Sequence, residues 1–371
     1  MKKCPKCQHV NANDANFCMS CGESLANVPQ EEKKTVIEHI NNYVGNEKPA
    51  QLNWKVLFSD VLKKRSLDDA EEIFIAGTKT TTPEPKDITS NWPHPWLYSR
   101  ALLACLIAFA IMLCGTLVFN NGTSIPGVII LGTFAIPVAI LILFMEMNVF
   151  RDVSFYEISK FFLIGGCASI LLTLILDMFV STEYLTSLTA IIIGVTEELA
   201  KLLIVFFFIR KTPYRSILAG LLIGASVGAG FAAFESAGYA LNSFYTEGEG
   251  GMLFTIALRA LLAPGGHVAW AAISGAALMI AAKGGNITPS LMVHPKFLRL
   301  FIIPVICHSL WDMPWVGLIG YVGLLIFIWI IVMLFFNMGL NEAERVANEA
   351  NMPQEEINMP QKEVTETERQ A

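Results

Sequence analysis

The sequence predicts an all-α, polytopic helical membrane bundle of about eight spans, preceded by a small zinc ribbon and a short cytosolic helical segment. Three observations carry this. Of 371 residues, 54% are hydrophobic and only 16% charged, which excludes an ordinary soluble protein and fits a multi-span protein with soluble ends. After Arg100, apolar stretches of the length a bilayer demands, about 20 residues, recur to the end of the apolar region. Four of the eight cysteines fall in the first two dozen residues as two CxxC pairs. The formal net charge of −6 is uninformative for the whole chain, because the acids cluster in its tails.

The cysteine pairs come first. Cys4-Pro5-Lys6-Cys7 and Cys18-Met19-Ser20-Cys21-Gly22 form two knuckles that can close a tetrahedral site on Zn²⁺. Met1-Lys2-Lys3 runs straight into Cys4 with no apolar region behind it, so a reducing cytosol is expected, and there the pattern means metal rather than disulfides. Residues 1–26 are therefore expected as a zinc ribbon whose fold depends on the ion. It resembles other small zinc-ribbon modules, and a protein partner is one use for it; nucleic acid is not expected. The remaining cysteines, Cys105, Cys114, Cys167 and Cys307, lie in apolar spans and read as packing residues.

Residues 27–95 read as a polar linker followed by an amphipathic segment. Trp54, Leu57, Phe58, Val61 and Leu62 recur at helical spacing within Leu52–Phe74, ahead of Lys63, Lys64 and Arg65. That pattern suits a helix on the membrane surface or a small hairpin packed on itself. Trp92-Pro93-His94-Pro95-Trp96 reads as an interfacial aromatic anchor.

Residues 96–338 hold the expected spans: Leu97–Phe119, Pro126–Met147, Ile158–Val180, Leu185–Ile209, Ile217–Leu241, Leu253–Ala282, Phe297–Asp312 and Val316–Phe336. Every second connection is basic. Arg151 and Lys160, then Arg210, Lys211 and Arg215, then Lys283, Lys296 and Arg299 alternate with loops at 120–125, 181–184 and 243–251 that carry no lysine or arginine. The positive-inside rule then places both termini in the cytosol of a multi-pass protein of the cell membrane. Residues 339–371 are expected as a disordered acidic tail, in which Asn351-Met352-Pro353-Gln354 recurs as Asn358-Met359-Pro360-Gln361.

Polar residues inside the spans point to function. Glu197-Glu198-Leu199-Ala200-Lys201 sits mid-span, where a charge costs roughly 2.5–3.5 kcal/mol and faces protein or a wet cavity. Lys201, one turn from both acids, can neutralise one of them and leaves the other over. In the next span Gly220, Gly224, Gly228 and Ala232 make a bare face for close helix approach, and Glu235 lies one turn on. Pro264-Gly265-Gly266 breaks a helix immediately before His267, and irregular backbone at membrane depth survives only inside protein or beside a cavity. Arg259 suits the outer interface as well as the site. His308 and Asp312 share a helical face, so the aspartate can hold the imidazole in one tautomer. By the inferred topology the cluster faces a cavity in the outer half of the membrane.

Such a set suits water activation against an amide. A carboxylate takes the water proton and passes it to the leaving amine, while a histidine or the Lys201 ammonium stabilises the oxyanion. The same residue types can bind Zn²⁺ with an acid as base, although no HExxH is present. Glu197-Glu198…Lys201, Phe231…Glu235, Arg259…Pro264…His267 and His308…Asp312 resemble, in order, the motifs of the PrsW family of intramembrane proteases, relatives of the CAAX prenyl endopeptidases. The resemblance spans about Trp96 to Phe336 and implies an endopeptidase cutting a single-pass membrane protein, such as an anti-sigma factor, on its outer side. It makes Glu197, Glu198, Glu235, His267 and His308 the catalytic set, with Lys201, Phe231, Arg259 and Asp312 in support. A metal in the membrane site stays open. Lys201 and Glu235 depart from the CAAX endopeptidase pattern, which argues against a prenylated substrate. A proton-coupled transporter and a non-catalytic scaffold using its zinc ribbon fit the bare residue types too. Against the transporter, no inverted repeat relates the two halves.

Overall fold

The structure, a computed structural model, describes residues 2–12, 15–26, 35–46, 48–179 and 186–352. The chain divides into two compact units, residues 1–50 and 51–371.

In the first unit, strands β1 (Lys2–Lys3) and β2 (Val10–Asn11) pair antiparallel around the first cysteine knuckle. The knuckle turns back on itself through Cys4 N–H to His9 O and Gln8 N–H to Cys4 O, both 2.9 Å. The second repeats the device with Cys18 N–H to Glu23 O (2.8 Å) and Gly22 N–H to Cys18 O (2.9 Å). Gly22 adopts φ 71°, which a side chain would resist. Among the described residues, Cys4, Cys18 and Leu25, with Ala15 packed against them, form the core around the knuckles, too little to hold the module without a cross-link or an ion. Helix α1 (Val36–Val44) follows, opened by a Thr35/Glu38 capping box and closed by left-handed Gly45.

Every secondary-structure element among the described residues of the second unit is a helix. The amphipathic helix expected over Leu52–Phe74 is two short helices, α2 (Val56–Ser59) and α3 (Leu67–Phe74). The chain turns between them because Asp60, nearly buried, gathers Lys63 (2.7 Å) and Arg65 (2.5 Å), while Ser66 and Asp69 start α3 as a capping box. This segment is bolted to the start of α4 (Leu97–Leu117) by Tyr98 O–H to Leu57 O (2.8 Å) and an Arg100 N–H to Lys63 O (2.9 Å). Glu146 of α5 (Ile125–Met147) accepts the backbone N–H groups of Trp96, Leu97 and Tyr98, satisfying donors that a helix start leaves orphaned.

Helices α6 (Phe155–Lys160) and α7 (Gly166–Asp177) run on through a π-turn. Then come α8 (Ser187–Lys211), α9 (Ile217–Leu262), α10 (His267–Ala282), α11 (Pro295–Trp311) and α12 (Leu318–Asn351). Five stretches among the described residues are long and apolar enough to cross a membrane: Leu97–Leu117, Gly122–Met147, Phe155–Asp177, Ile217–Ala282 and Leu318–Asn351. This is a multi-pass membrane protein. Helix α8 falls outside that description because of Glu197, Glu198 and Lys201, and α11 because it has only 17 residues.

Two sequence expectations change, the loop at 243–251 and the start of the tail. The loop expected at 243–251 shrinks to a break at Gly248 (φ 75°), with helix on both sides of it, so α9 is two arms that reverse at that residue. The break expected at Pro264-Gly265-Gly266 falls at Ala263–Gly266, where Pro264 cannot continue the ladder and Trp329 Nε1 satisfies its carbonyl at 2.8 Å. The first part of the disordered tail expected over 339–371 is helical instead, because α12 continues to Asn351 with Glu342 accepting the Ile217 N–H at 2.7 Å, and residues 353–371 lie outside the described residues. The expected turn at 181–184 and the second copy of the tail repeat lie outside the described residues.

The core lies along the α9–α10 crossing. Gly220, Gly224 and Gly228 meet Gly275, Ala271 and His267 backbone to backbone; a Cβ on Gly224 would stand 2.1 Å from the Ala271 carbonyl oxygen. The bare face read from the sequence thus seats α10, and it delivers His267 to the site.

Candidate active site

Four helices converge on one polar cluster in an apolar interior. Helix α8 brings Glu197, Glu198 and Lys201; α9 brings Phe231, Glu235 and Arg259; α10 opens with His267; α11 carries His308 in its last turn and is capped by Asp312. The structure brings all nine sequence-predicted membrane-site residues together.

Two ion-anchored hydrogen bonds organise the imidazoles. Lys201, fully buried, reaches Glu198 at 2.7 Å and stands 3.6 Å from Glu197, so Glu198 is the neutralised acid and Glu197 the one left over. Glu198 Oε1 also meets His308 Nδ1 at 2.8 Å. A carboxylate held by an ammonium accepts, so His308 carries its proton on Nδ1 and turns Nε2 toward Glu197 (3.6 Å) and Asp312 (3.4 Å). The partner that fixes His308 is therefore Glu198 from another helix, more than the Asp312 expected from sequence spacing.

His267 is pinned from both sides. The Lys201 ammonium can only donate, and it meets His267 Nδ1 at 2.8 Å; His267 Nε2–H then donates to Glu235 at 3.1 Å. Nδ1 faces inward, 3.9 Å from Glu197. Glu197 Oε2 is buried and has no hydrogen-bond partner, although two imidazole nitrogens and an ammonium surround it.

Aromatic rings close the cluster. Phe231 lies beneath the Lys201 ammonium at 4.4 Å and against His267 at 4.9 Å. Trp270 stacks on His308 at 4.4 Å and meets Trp311 edge-on. Trp270, like Ser236 and Tyr239, escaped the sequence reading, because an aromatic in an apolar span looks like packing. Its position one turn after His267 was the available signal. A cavity of about 480 Å³ opens on the cluster, with Glu197, Glu235, His267, His308 and Asp312 on its polar wall and Leu258, Leu262 and Trp311 among its apolar lining. Glu198 and Lys201 do not line it.

One oxygen of Glu197 and one ring nitrogen each of His267 and His308 lie within 4.8 Å of one another, as the ligands of one metal ion must. One carboxylate with two imidazoles is a donor set that catalytic zinc sites use. Four carboxylates (Glu197, Glu198, Glu235, Asp312) stand against two fixed cations (Lys201, Arg259), a formal deficit of two charges that a divalent ion or two protons would balance. The orphaned Glu197 oxygen and this donor set fit a metal.

In the first unit, Cys4, Cys7, Cys18 and Cys21 form a second group that could hold a metal, their sulfurs within 4.8 Å. The Cys4–Cys21 and Cys7–Cys18 separations are 3.5 Å, near the roughly 3.8 Å that tetrahedral coordination at 2.3 Å bond lengths requires, and far from a disulfide.

Residues 156–338 match the family model described as PrsW family intramembrane metalloprotease. No curated protein and no solved structure matches the chain.

Proposed function

From the premise that residues 156–338 are a PrsW family intramembrane protease domain, we propose that the protein hydrolyses a peptide bond of a single-pass membrane protein, such as an anti-sigma factor, with Glu197 at the reacting atoms. The observation that carries this is the convergence of the unpartnered Glu197 oxygen, His267 Nδ1 and His308 Nε2 on a cavity with apolar walls.

Glu197 takes the proton of the attacking water and returns it to the departing amine. Glu198 is not that base: buried away from the cavity, it is spent on Lys201 and His308. Glu198 and Glu235 instead orient the two imidazoles, as carboxylates do for histidines that work on a reacting group. Lys201 places a positive charge within reach of an oxyanion formed beside Glu197. Trp270 and Phe231 keep bulk water off the inner face, which strengthens each of these interactions. If an ion binds, Glu197, His267 and His308 are the residues that would hold it, and it would supply Lewis acidity and a more acidic water. The His267 lone pair now shared with Lys201 would be its ligand.

The ribbon thiolates would hold structural Zn²⁺ and display a surface for a protein partner. By the loop charges, both termini lie in the cytosol of the cell membrane and the cavity faces the outer half of the bilayer.

The test is cleavage of a panel of single-span peptides by the protein purified in detergent, with metal counted in parallel and Cys4, Cys7, Cys18 and Cys21 replaced by serine throughout so that only the membrane site is counted. Glu197→Gln is expected to lose at least ~10²-fold in rate while keeping its fold. Unchanged cleavage in that variant would sink the assignment. Loss of a stoichiometric metal together with activity makes the enzyme a metalloprotease; loss of activity with no metal in either protein makes it a glutamate protease.

A further inference from the structure

We propose that Arg259 is a positioning residue: it anchors Glu235 and, through Glu235, decides which nitrogen of His267 faces the reaction centre. The inference rests on the reading of Glu197, His267 and His308 as that centre.

Arg259 lies 24 residues beyond Glu235 on the same helix, yet the two side chains touch. The break at Gly248 is what permits it, since the second arm of α9 folds back along the first, tied by Ser243 to Thr255 at 2.8 Å. The guanidinium makes three contacts on that first arm. Nη2 pairs with Glu235 Oε2, Nε donates to Ser236 Oγ at 2.7 Å, and the plane lies over the Tyr239 ring at 4.4 Å. An arginine reaching out to the membrane interface would not spend its head group this way. One reaching for substrate would not commit both Nε and Nη2 to protein.

The oxygen that Arg259 holds, Glu235 Oε2, is the one that accepts His267 Nε2–H. Carboxylate, imidazole and guanidinium thus form a relay whose inner end is the His267 Nδ1 lone pair. Without the guanidinium, Glu235 is a buried acid with a single remaining donor. It is then free to swing away, and His267, without the acceptor that holds Nε2–H, can turn its ring so that Nδ1 leaves Lys201 and the two nitrogens exchange places. The lone pair would then point away from Glu197. Lysine cannot replace the arginine, because one ammonium cannot hold Ser236 and Glu235 while stacking on Tyr239.

The experiment compares wild type with Arg259→Gln, Arg259→Lys, Glu235→Gln and the Arg259→Gln/Glu235→Gln double variant, in detergent. Steady-state cleavage gives kcat and KM, and ¹⁵N NMR of histidine-labelled protein gives the tautomer of His267, assigned by its loss in His267→Asn. Expected are a drop in kcat of about 10–100-fold for Arg259→Gln with KM little changed, partial recovery in Arg259→Lys, and a double variant no worse than the poorer single one. The His267 signals should shift from the Nε2–H pattern to a mixture. A raised KM with unchanged kcat would make Arg259 a substrate-binding residue and overturn the proposal. So would losses that multiply in the double variant, or a lowered Tm with kcat and tautomer both intact. The tautomer is readable without turnover, so a wild type that cleaves no peptide tested, which counts against the protease reading, still leaves the relay decided by NMR. If Arg259→Gln fails to fold, Arg259→Lys carries the comparison, and a His267 signal identical to wild type refutes the relay.

Discussion

Replacing Gly228 by alanine tests whether helix spacing, rather than the polar residues alone, sets the active geometry. A Cβ at Gly228 would stand 2.3 Å from the His267 carbonyl oxygen and 2.8 Å from Ala271 Cβ. An ordinary C···O contact is about 3.3 Å, so α10 must withdraw from α9 by roughly 1 Å at this level. Neither neighbour can give way cheaply, because one is the backbone of the first residue of α10 and the crossing also leaves no room for a Cβ at Gly224 and Gly220. His267 rides on that backbone. A 1 Å withdrawal takes its 3.1 Å bond to Glu235 toward about 4 Å, outside hydrogen-bonding range. The expected cost is about 1–3 kcal/mol of stability from overpacking and about 10²-fold in kcat from misplacing a reacting group. The assay is thermal unfolding in detergent beside peptide cleavage, with Gly238→Ala as control. Gly238 lies on the same helix with nothing within 4 Å of its would-be Cβ, so that variant should be neutral or slightly more stable. A Gly228→Ala protein with wild-type kcat would refute the reasoning, whatever its Tm.

Other outcomes separate the two adjacent glutamates and the two metal groups. Glu198→Gln leaves the Lys201 ammonium buried without its closest partner and should cost about 3–5 kcal/mol, whereas Glu197→Gln, which removes no hydrogen bond, should unfold near the wild-type temperature; equal Tm values for the two would contradict their assigned roles. Cys7→Ser combined with Cys21→Ser should remove one bound zinc per chain and loosen residues 2–26 to proteolysis, while cleavage by the membrane unit in detergent is unchanged. Retention of that zinc would exclude the thiols as its ligands.

Much of this protein is legible along the chain because the bilayer simplifies the code. Water is absent from the hydrocarbon region, so apolar length alone marks α4, α5 and α12. Thiol spacing marks the ribbon, and an ionisable residue at depth stands out against uniform apolar sequence. The Glu197/Glu198/Lys201 turn, Glu235, His267 and His308 are each visible for that reason. The charged helix α8 and the break at Pro264 are legible too, but the rule overestimates the loop around Gly248, which is helical on both sides. It also fails in the juxtamembrane segment, where Asp60 draws Lys63 and Arg65 into a turn that helical periodicity does not foresee.

The sequence by itself determined that one of two neighbouring acids is left without its charge partner, because a single lysine lies one turn away from both. Which acid that is, only the tertiary structure decided. His308, 110 residues further on, places Nδ1 against Glu198, and Lys201 follows it, which leaves Glu197 on the cavity wall with a free oxygen. The pairing of Arg259 with Glu235 was likewise undetermined along the chain, since it needs α9 to fold back at Gly248. Residue type and spacing fix what each group can do. Hydrogen bonds between helices decide which nitrogen and which oxygen face the cavity, because a carboxylate only accepts, an ammonium only donates, and an imidazole between them has one arrangement left.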